Sequence, residues 1–194
     1  MIRVRLIAVL LAAAPPALGQ QTLPTRDVAI VYRVTGSAHE AIPGGIPDTV
    51  RLFWNAARQR IRLEPQGRPQ ALLVDLEKAS VKVVDSGLHS AMSLPVRPKD
   101  LDPVRLKDAR LSRRGAAIVA GLSCTEWAVE SRRGGGTVCL TEDGVALRAV
   151  GQVNGRDGSF TAVSVAYAPS PPSMFEVPSG YFSLALPPGL SGLQ

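Results

Sequence analysis

The chain of 194 residues has little of what builds reaction centres. It holds two histidines, His39 and His89, far apart in separate turn-rich stretches, and two cysteines, Cys124 and Cys139. A zinc site would need further ligands near the cysteines, and redox pairs are usually spaced C-x-x-C, so neither a metal nor a cofactor is expected. Nucleophilic catalysis needs a base beside the nucleophile. The G-x-S-x-G pattern is absent, because Gly121-Leu122-Ser123-Cys124 lacks the second glycine. Asp75, Asp85, Glu126 and Glu130 fall on strand faces or turns without the paired spacing of glycoside hydrolysis. Gly134 to Gly136 follow a strand pattern but open no helix, which rules out a phosphate loop and reads as a turn. His39-Glu40 beside Asp48 is the one place where a base, an acid and a loop coincide. A solvated loop is its plainer reading, and no enzyme is expected.

Long hydrophobic runs are missing too. The apolar stretch Leu6 to Ala14 is too short for the roughly 20 residues of a membrane span. It follows Arg3 and Arg5 and precedes Ala17-Leu18-Gly19, which is the grammar of a cleaved signal peptide over residues 1–19. Gln20 or Gln21, rather than cysteine, stands at the cleavage point, so a lipid anchor is not expected. The divisions that follow are a linker over 20–26, one domain over 27–182 and a disordered tail over 183–194, with the mature protein in the periplasm. Lysine and arginine number 22 against 16 acidic side chains, and losing Arg3 and Arg5 with the leader narrows that excess to a mild bias. The arginines alternate with apolar residues and lack stacking aromatics or a motif, so nucleic acid is excluded as a partner. Anionic lipid headgroups remain as a weak one.

What is present is a pattern of period two. Val28, Ile30, Tyr32 and Val34 share one face of a strand against Arg33 and Thr35, and Val50, Leu52 and Trp54 oppose Thr49, Arg51 and Asn55. RQRIRLE sets Ile61 and Leu63 against Arg60, Arg62 and Glu64; ALLVDLE, VKVVDS and SAMSLPV follow, separated by turn residues about every ten positions. PVRPKDLDPVRLKDARL alone has helical grammar, with Pro103 suited to a first turn, and predicts one or two turns within Pro98 to Ala109. Strands return over Ala116 to Ala120, Cys124 to Ser131, Thr137 to Thr141, Val145 to Gly151 and Phe160 to Ala168. The proline-rich end is unsuited to a central strand.

On a hairpin centred between Ser131 and Arg132, Cys124 and Cys139 lie opposite each other, and an oxidising compartment makes a disulfide the default. A turn displaced toward the glycines moves that register by a residue or two. Tyr32, Trp54, Trp127, Phe160 and Tyr167 are open to two readings, ordinary core or the wall of a ligand cavity.

VAGLSCTEW (Val119 to Trp127), VCLTEDGV (Val138 to Val145) and SMFEVPSGY (Ser173 to Tyr181) resemble an uncharacterised family of exported bacterial proteins similar to the periplasmic lipoprotein carriers. The resemblance spans about Asp27 to Tyr181. It implies a strongly curved antiparallel sheet, an unclosed half-barrel with a short helical lid over a concave apolar face, which in the carriers holds acyl chains. No binding residue of a carrier maps here by motif.

Two functions fit. One is a non-enzymatic protein that binds a lipid or lipoprotein acyl chain on the concave face through Ile30, Tyr32, Leu52, Trp54, Ile61, Leu63, Leu73, Val83, Met92 and Leu94. The other is a module for an envelope protein partner whose core is filled by its own side chains. That module would work through the Ala41–Pro47 loop, the Arg110–Arg114 edge or the Phe175–Tyr181 segment.

Overall fold

The computed structural model describes residues 22–36, 47–101, 109–132, 134–153 and 155–184. The expected signal peptide, the His39-Glu40 pair, the loop over 41–46 and residues 185–194 of the expected tail lie outside these residues.

Twelve strands form one sheet that does not close into a barrel. In chain order they are β1 (Val28–Gly36), β2 (Thr49–Asn55), β3 (Arg60–Pro65), β4 (Gln70–Asp75), β5 (Ser80–Asp85), β6 (Ser90–Leu94), β7 (Arg110–Val119), β8 (Leu122–Ser131), β9 (Gly134–Leu140), β10 (Ala146–Val153), β11 (Arg156–Ala166) and β12 (Phe182–Leu184). Their spatial order is β12-β6-β5-β4-β3-β2-β1-β11-β10-β9-β8-β7. Two meanders, β1 to β6 and β7 to β11, are therefore joined by the antiparallel pair β1–β11. The short β12 adds to β6 in parallel at one edge, which suits its proline-rich surroundings.

In the first meander, local chemistry sets both faces and turns. Val28, Ile30, Tyr32 and Val34 on β1 are all buried, as expected for a strand at the middle of the sheet. Three hairpins use one device: Asn55 and Asp75 accept the backbone N–H three residues on, and Asp85 accepts those of Gly87 and Leu88. Each turn closes on a residue in the left-handed region, Gln59, Ala79 or His89, with φ of 45°, 48° and 49°.

The second meander departs from the expected pattern. Strand β7 begins at Arg110, not at Ala116, and carries a register shift between Arg113 and Gly115. As an edge strand it buries little, so it lacks the alternation by which a strand is recognised. Gly134 to Gly136, expected as a turn, lie within β9. A Cβ at Gly136 would run into the Val150 carbonyl oxygen, and one at Gly151 would sit 2.5 Å from that of Gly135. Gly36, Gly158, Gly151 and Gly136 pair in one row across β1, β11, β10 and β9. Glycine is used here for the close approach of neighbouring backbones, not for reversal.

The disulfide between Cys124 and Cys139 is present, with Cα atoms 5.4 Å apart and both residues buried. Its register differs from the expected direct pairing. Ser131 pairs with Gly134, so Cys139 stands opposite Glu126 and the bridge runs diagonally to Cys124.

The helical grammar yields a single 3-10 turn, Pro98–Leu101, whose Leu101 enters the core. Residues 102–108 lie outside the described residues. The segment at 22–26, expected as a linker, is packed onto the domain: Leu23 touches the core, Thr25 donates its N–H to the Asp143 carbonyl, and Trp54 Nε1 donates to the Pro24 carbonyl at 2.8 Å. Gly144 is required beneath it, because φ is +91° and a Cβ would collide with the Leu23 carbonyl oxygen.

Candidate functional site

Ile30, Tyr32, Trp54 and Ile61 join one buried cluster, with Leu52, Leu63 and Leu94 packed against it. Val83 and Met92 sit opposite each other in register and are half-buried. Leu73 does not belong with them. It pairs with Arg62 and Lys82, while its neighbours Leu72 and Val74 pack with the main cluster. Leu73 lies instead with Val84 and Ala91 beneath Val177 and Tyr181, on the opposite face of the sheet. Consecutive leucines in ALLVD hide this, because both faces of β4 are covered and period two no longer separates inside from outside.

Other parts of the described chain pack onto the same apolar face. Leu101, Val119, Val145 and Leu147 pack into the same cluster, the last two fully buried. The polar tips of its aromatics are satisfied internally: Tyr32 donates its hydroxyl to the Ala146 carbonyl at 2.6 Å, and burial pushes the Tyr32 phenol well above its ordinary pKa. Phe160 meets Tyr32 edge to face, with centroids 5.3 Å apart, and is 39% exposed. Trp127 pairs with Val138, and its Nε1–H is buried without an acceptor among the described residues.

Of the His39-Glu40/Asp48 coincidence only Asp48 lies within the described residues. Asp48 is exposed and uses its main-chain carbonyl to accept the Val34 N–H. His89 rests on the ring of Tyr181, 5.5 Å away between centroids. Asp75 holds Arg60, Asp85 accepts from Gln70, and Glu126 pairs with Arg148. No group of three or more potential metal ligands gathers among the described residues.

One carboxylate forms a hub that the sequence does not disclose. Asp143 accepts from Arg26 (3.1 Å), Thr141 (2.6 Å) and Tyr167 (3.1 Å), and the Arg26 guanidinium lies 4.0 Å above the Tyr167 ring. Burial alone would raise the Asp143 pKa, but the hydrogen bonds from Thr141, Arg26 and Tyr167 hold it below the usual carboxylate value. Arg26 and the Thr25 N–H hold the 22–26 segment to the TEDG turn, Thr141 braces the turn from within, and Tyr167 ties it to the chain beyond β11. Chemically the hub is a clasp.

On the outer face of β2 to β5 lies a cavity of about 520 Å³. Arg51, Arg62, Arg68 and Glu64 line it, together with Gln66, Gln70, Ala71, Val84, Pro178 and Tyr181. Its far wall is the C-terminal segment, which folds back across this face. Arg62 donates to the Met174 carbonyl at 2.8 Å, Arg58 and Arg60 reach Glu176, and Phe175 is buried. The alternation that makes Arg51 and Arg62 outward-facing is visible in sequence; the segment that turns their face into a groove is not. A second cleft of about 580 Å³ follows the glycine row, between Thr35, Val150, Gln152 and Ser159.

By sequence the chain matches neither a protein-family model nor a curated protein. Among solved structures, an uncharacterized conserved protein from Thermus thermophilus overlays with a TM-score of 0.54 at 10% identity, over 84% of this chain and 91% of that one. MucB overlays with a TM-score of 0.51 at 14% identity over 82% of this chain, which spans 60% of MucB. The Pseudomonas aeruginosa MucA/MucB complex overlays more loosely, with a TM-score of 0.44 at 15% identity, over 78% of this chain and 56% of that one. Among the described residues no helix is long and apolar enough to cross a membrane. At these identities the likeness is one of fold, an unclosed antiparallel half-barrel similar to that of MucB.

Proposed function

We propose that this chain is an exported, non-catalytic binding module whose apolar face is filled by its own side chains and which engages an envelope protein through its surface. The observation that carries this reading is the packing of Ile30, Tyr32, Trp54 and Ile61 against Leu101, Val119, Val145 and Leu147, where a lipid carrier would leave room. Displacing these side chains to admit an acyl chain would forfeit burial worth roughly 25 cal/mol per Å².

The surface that suits a partner is β7. It ends the sheet, so among the described residues one row of its backbone groups has no strand beside it. It carries exposed Arg113 and Arg114, and Ile118 is 75% exposed. An added strand from an acidic partner fits that edge, with backbone pairing for affinity and charge for selectivity.

Photocrosslinking in living cells tests this. A crosslinker at Ile118 should trap one discrete envelope protein, whereas one at Leu88, exposed on a β5–β6 turn, should trap none. Equal, diffuse products from both positions, or recovery of lipid alone, would overturn the reading.

A further inference from the structure

We infer that the groove on the outer face of β2 to β5 is a binding site for a phosphate group. The inference stands apart from the choice of partner for β7, because it concerns a different face of the molecule.

Three guanidinium groups and one carboxylate line the cavity, which leaves a surplus of two positive charges. The arginines are not equally committed. Arg62 gives Nε to Glu64 at 2.6 Å and Nη1 to the Met174 carbonyl, which fixes it as part of the floor. Arg51 stands opposite Glu64 in register and is exposed, and Arg68 projects from the β3–β4 turn. Neither guanidinium makes a hydrogen bond or ion pair among the described residues. Elsewhere on this face Arg58 and Arg60 are used to hold Glu176. Among the described residues the groove thus keeps two unengaged forks beside a third that is already aimed.

Two unpaired guanidinium groups in one concavity repel each other and are relieved by an anion placed between them. A carboxylate offers two oxygens and is matched by one arginine fork. A phosphate monoester offers three oxygens and close to two charges, which fits two forks and the surplus charge of the groove. The volume, about 520 Å³, exceeds a bare phosphate and lies in the range of small-ligand pockets. Its apolar wall of Ala71, Val84, Pro178 and Tyr181 suits the organic part of a phosphorylated molecule. Two sources share this chemistry, a soluble phosphate monoester and a lipid headgroup that ends in a phosphate monoester, as in phosphatidic acid.

The test uses the full exported chain, labelled for NMR, at low salt. Inorganic pyrophosphate should shift the amides of residues 49–51, 62–64, 66–68, 70–71 and 181 in a saturable manner. Arg51→Gln with Arg68→Gln should weaken binding at least tenfold while the rest of the spectrum stays that of the folded protein. Lys78→Gln with Arg132→Gln, at exposed turns elsewhere, should leave it within twofold. A second arm measures sedimentation with phosphatidylcholine vesicles containing phosphatidic acid against the same vesicles containing phosphatidylglycerol. Saturation by pyrophosphate alone assigns the site to a soluble phosphate compound. Retention on phosphatidic acid, above that on phosphatidylglycerol, that the double variant abolishes assigns it to a headgroup. Shifts spread over all basic regions, equal losses in both double variants, or binding in neither arm would overturn the inference.

Discussion

The two meanders share a sheet but are held by different means. From β1 to β6 the chain relies on an apolar face and on Asx-closed turns at Asn55, Asp75 and Asp85. From β7 to β11 it relies on a buried disulfide, on glycines where backbones nearly touch, and on register shifts at Arg113/Gly115 and Ala146/Arg148. Its large apolar side chains are also less well covered, as Ile118, Val150 and Val163 show. A regular alternation needs few local devices, whereas a strand that bends or ends a sheet must be constrained where side-chain burial is thin.

The largest expected effect comes from the first meander. Trp54→Ala should cost about 3–5 kcal/mol in urea unfolding, because it removes a 2%-exposed ring and leaves the Pro24 carbonyl without its donor. Next, Cys124→Ser with Cys139→Ser should cost about 3 kcal/mol, as expected for freeing a loop closed across a sequence separation of 15. Hydrogen exchange sharpens the comparison: the double variant should loosen β7 to β9 first and leave β2 to β5 protected, and uniform loosening of all strands would erase the distinction.

Smaller effects concern the clasp that ties the two halves to the N-terminal segment. Gly144→Ala should cost about 2 kcal/mol, since φ is +91° and the Leu23 carbonyl occupies the space of the added methyl. Exchange of the Trp54 indole N–H reports the same release. Asp143→Asn should cost about 1 kcal/mol near neutral pH. The native Asp143 carboxyl is held below its ordinary pKa, so its contribution is complete above the unfolded value and fades as pH falls through the folded one. Unfolding curves for wild type and Asp143→Asn should therefore run parallel above about pH 5 and converge in acid; a gap that persisted in acid would show that shape, not charge, is lost. Last, the β7–β8 turn has Ala120 at φ 51° before Gly121 at 77°, the geometry that favours Asn-Gly. Ala120→Asn should raise the melting temperature slightly, by about 0.5 kcal/mol in stability.

How much is legible in sequence follows the same division. The six strands of the first meander are readable because alternation and turn residues are local signals, and the cysteine bridge of the second is readable because its two cysteines flank one hairpin. Leu73 is misplaced by its pattern because ALLVD is apolar on both faces. The outer cover arrives from Met174 to Tyr181, and Met174 lies 112 positions beyond the Arg62 side chain that holds it. The first half of β7 is invisible because RLSRR is mostly exposed and carries no burial pattern. The glycine run reads as a turn because close backbone approach and chain reversal both select glycine. The arginines of the outer groove are recognisable as a wet face, but the wall that makes them a site depends on tertiary folding of SMFEVPSGY.

Native mass spectrometry of the mature protein, released gently and without reductant, tests the self-filled apolar face most directly. The predicted spectrum is a single species at the mass of the bridged chain, unchanged after incubation with fatty acid or lipopeptide. A stoichiometric acyl passenger, whether carried from the cell or taken up on addition, would contradict it.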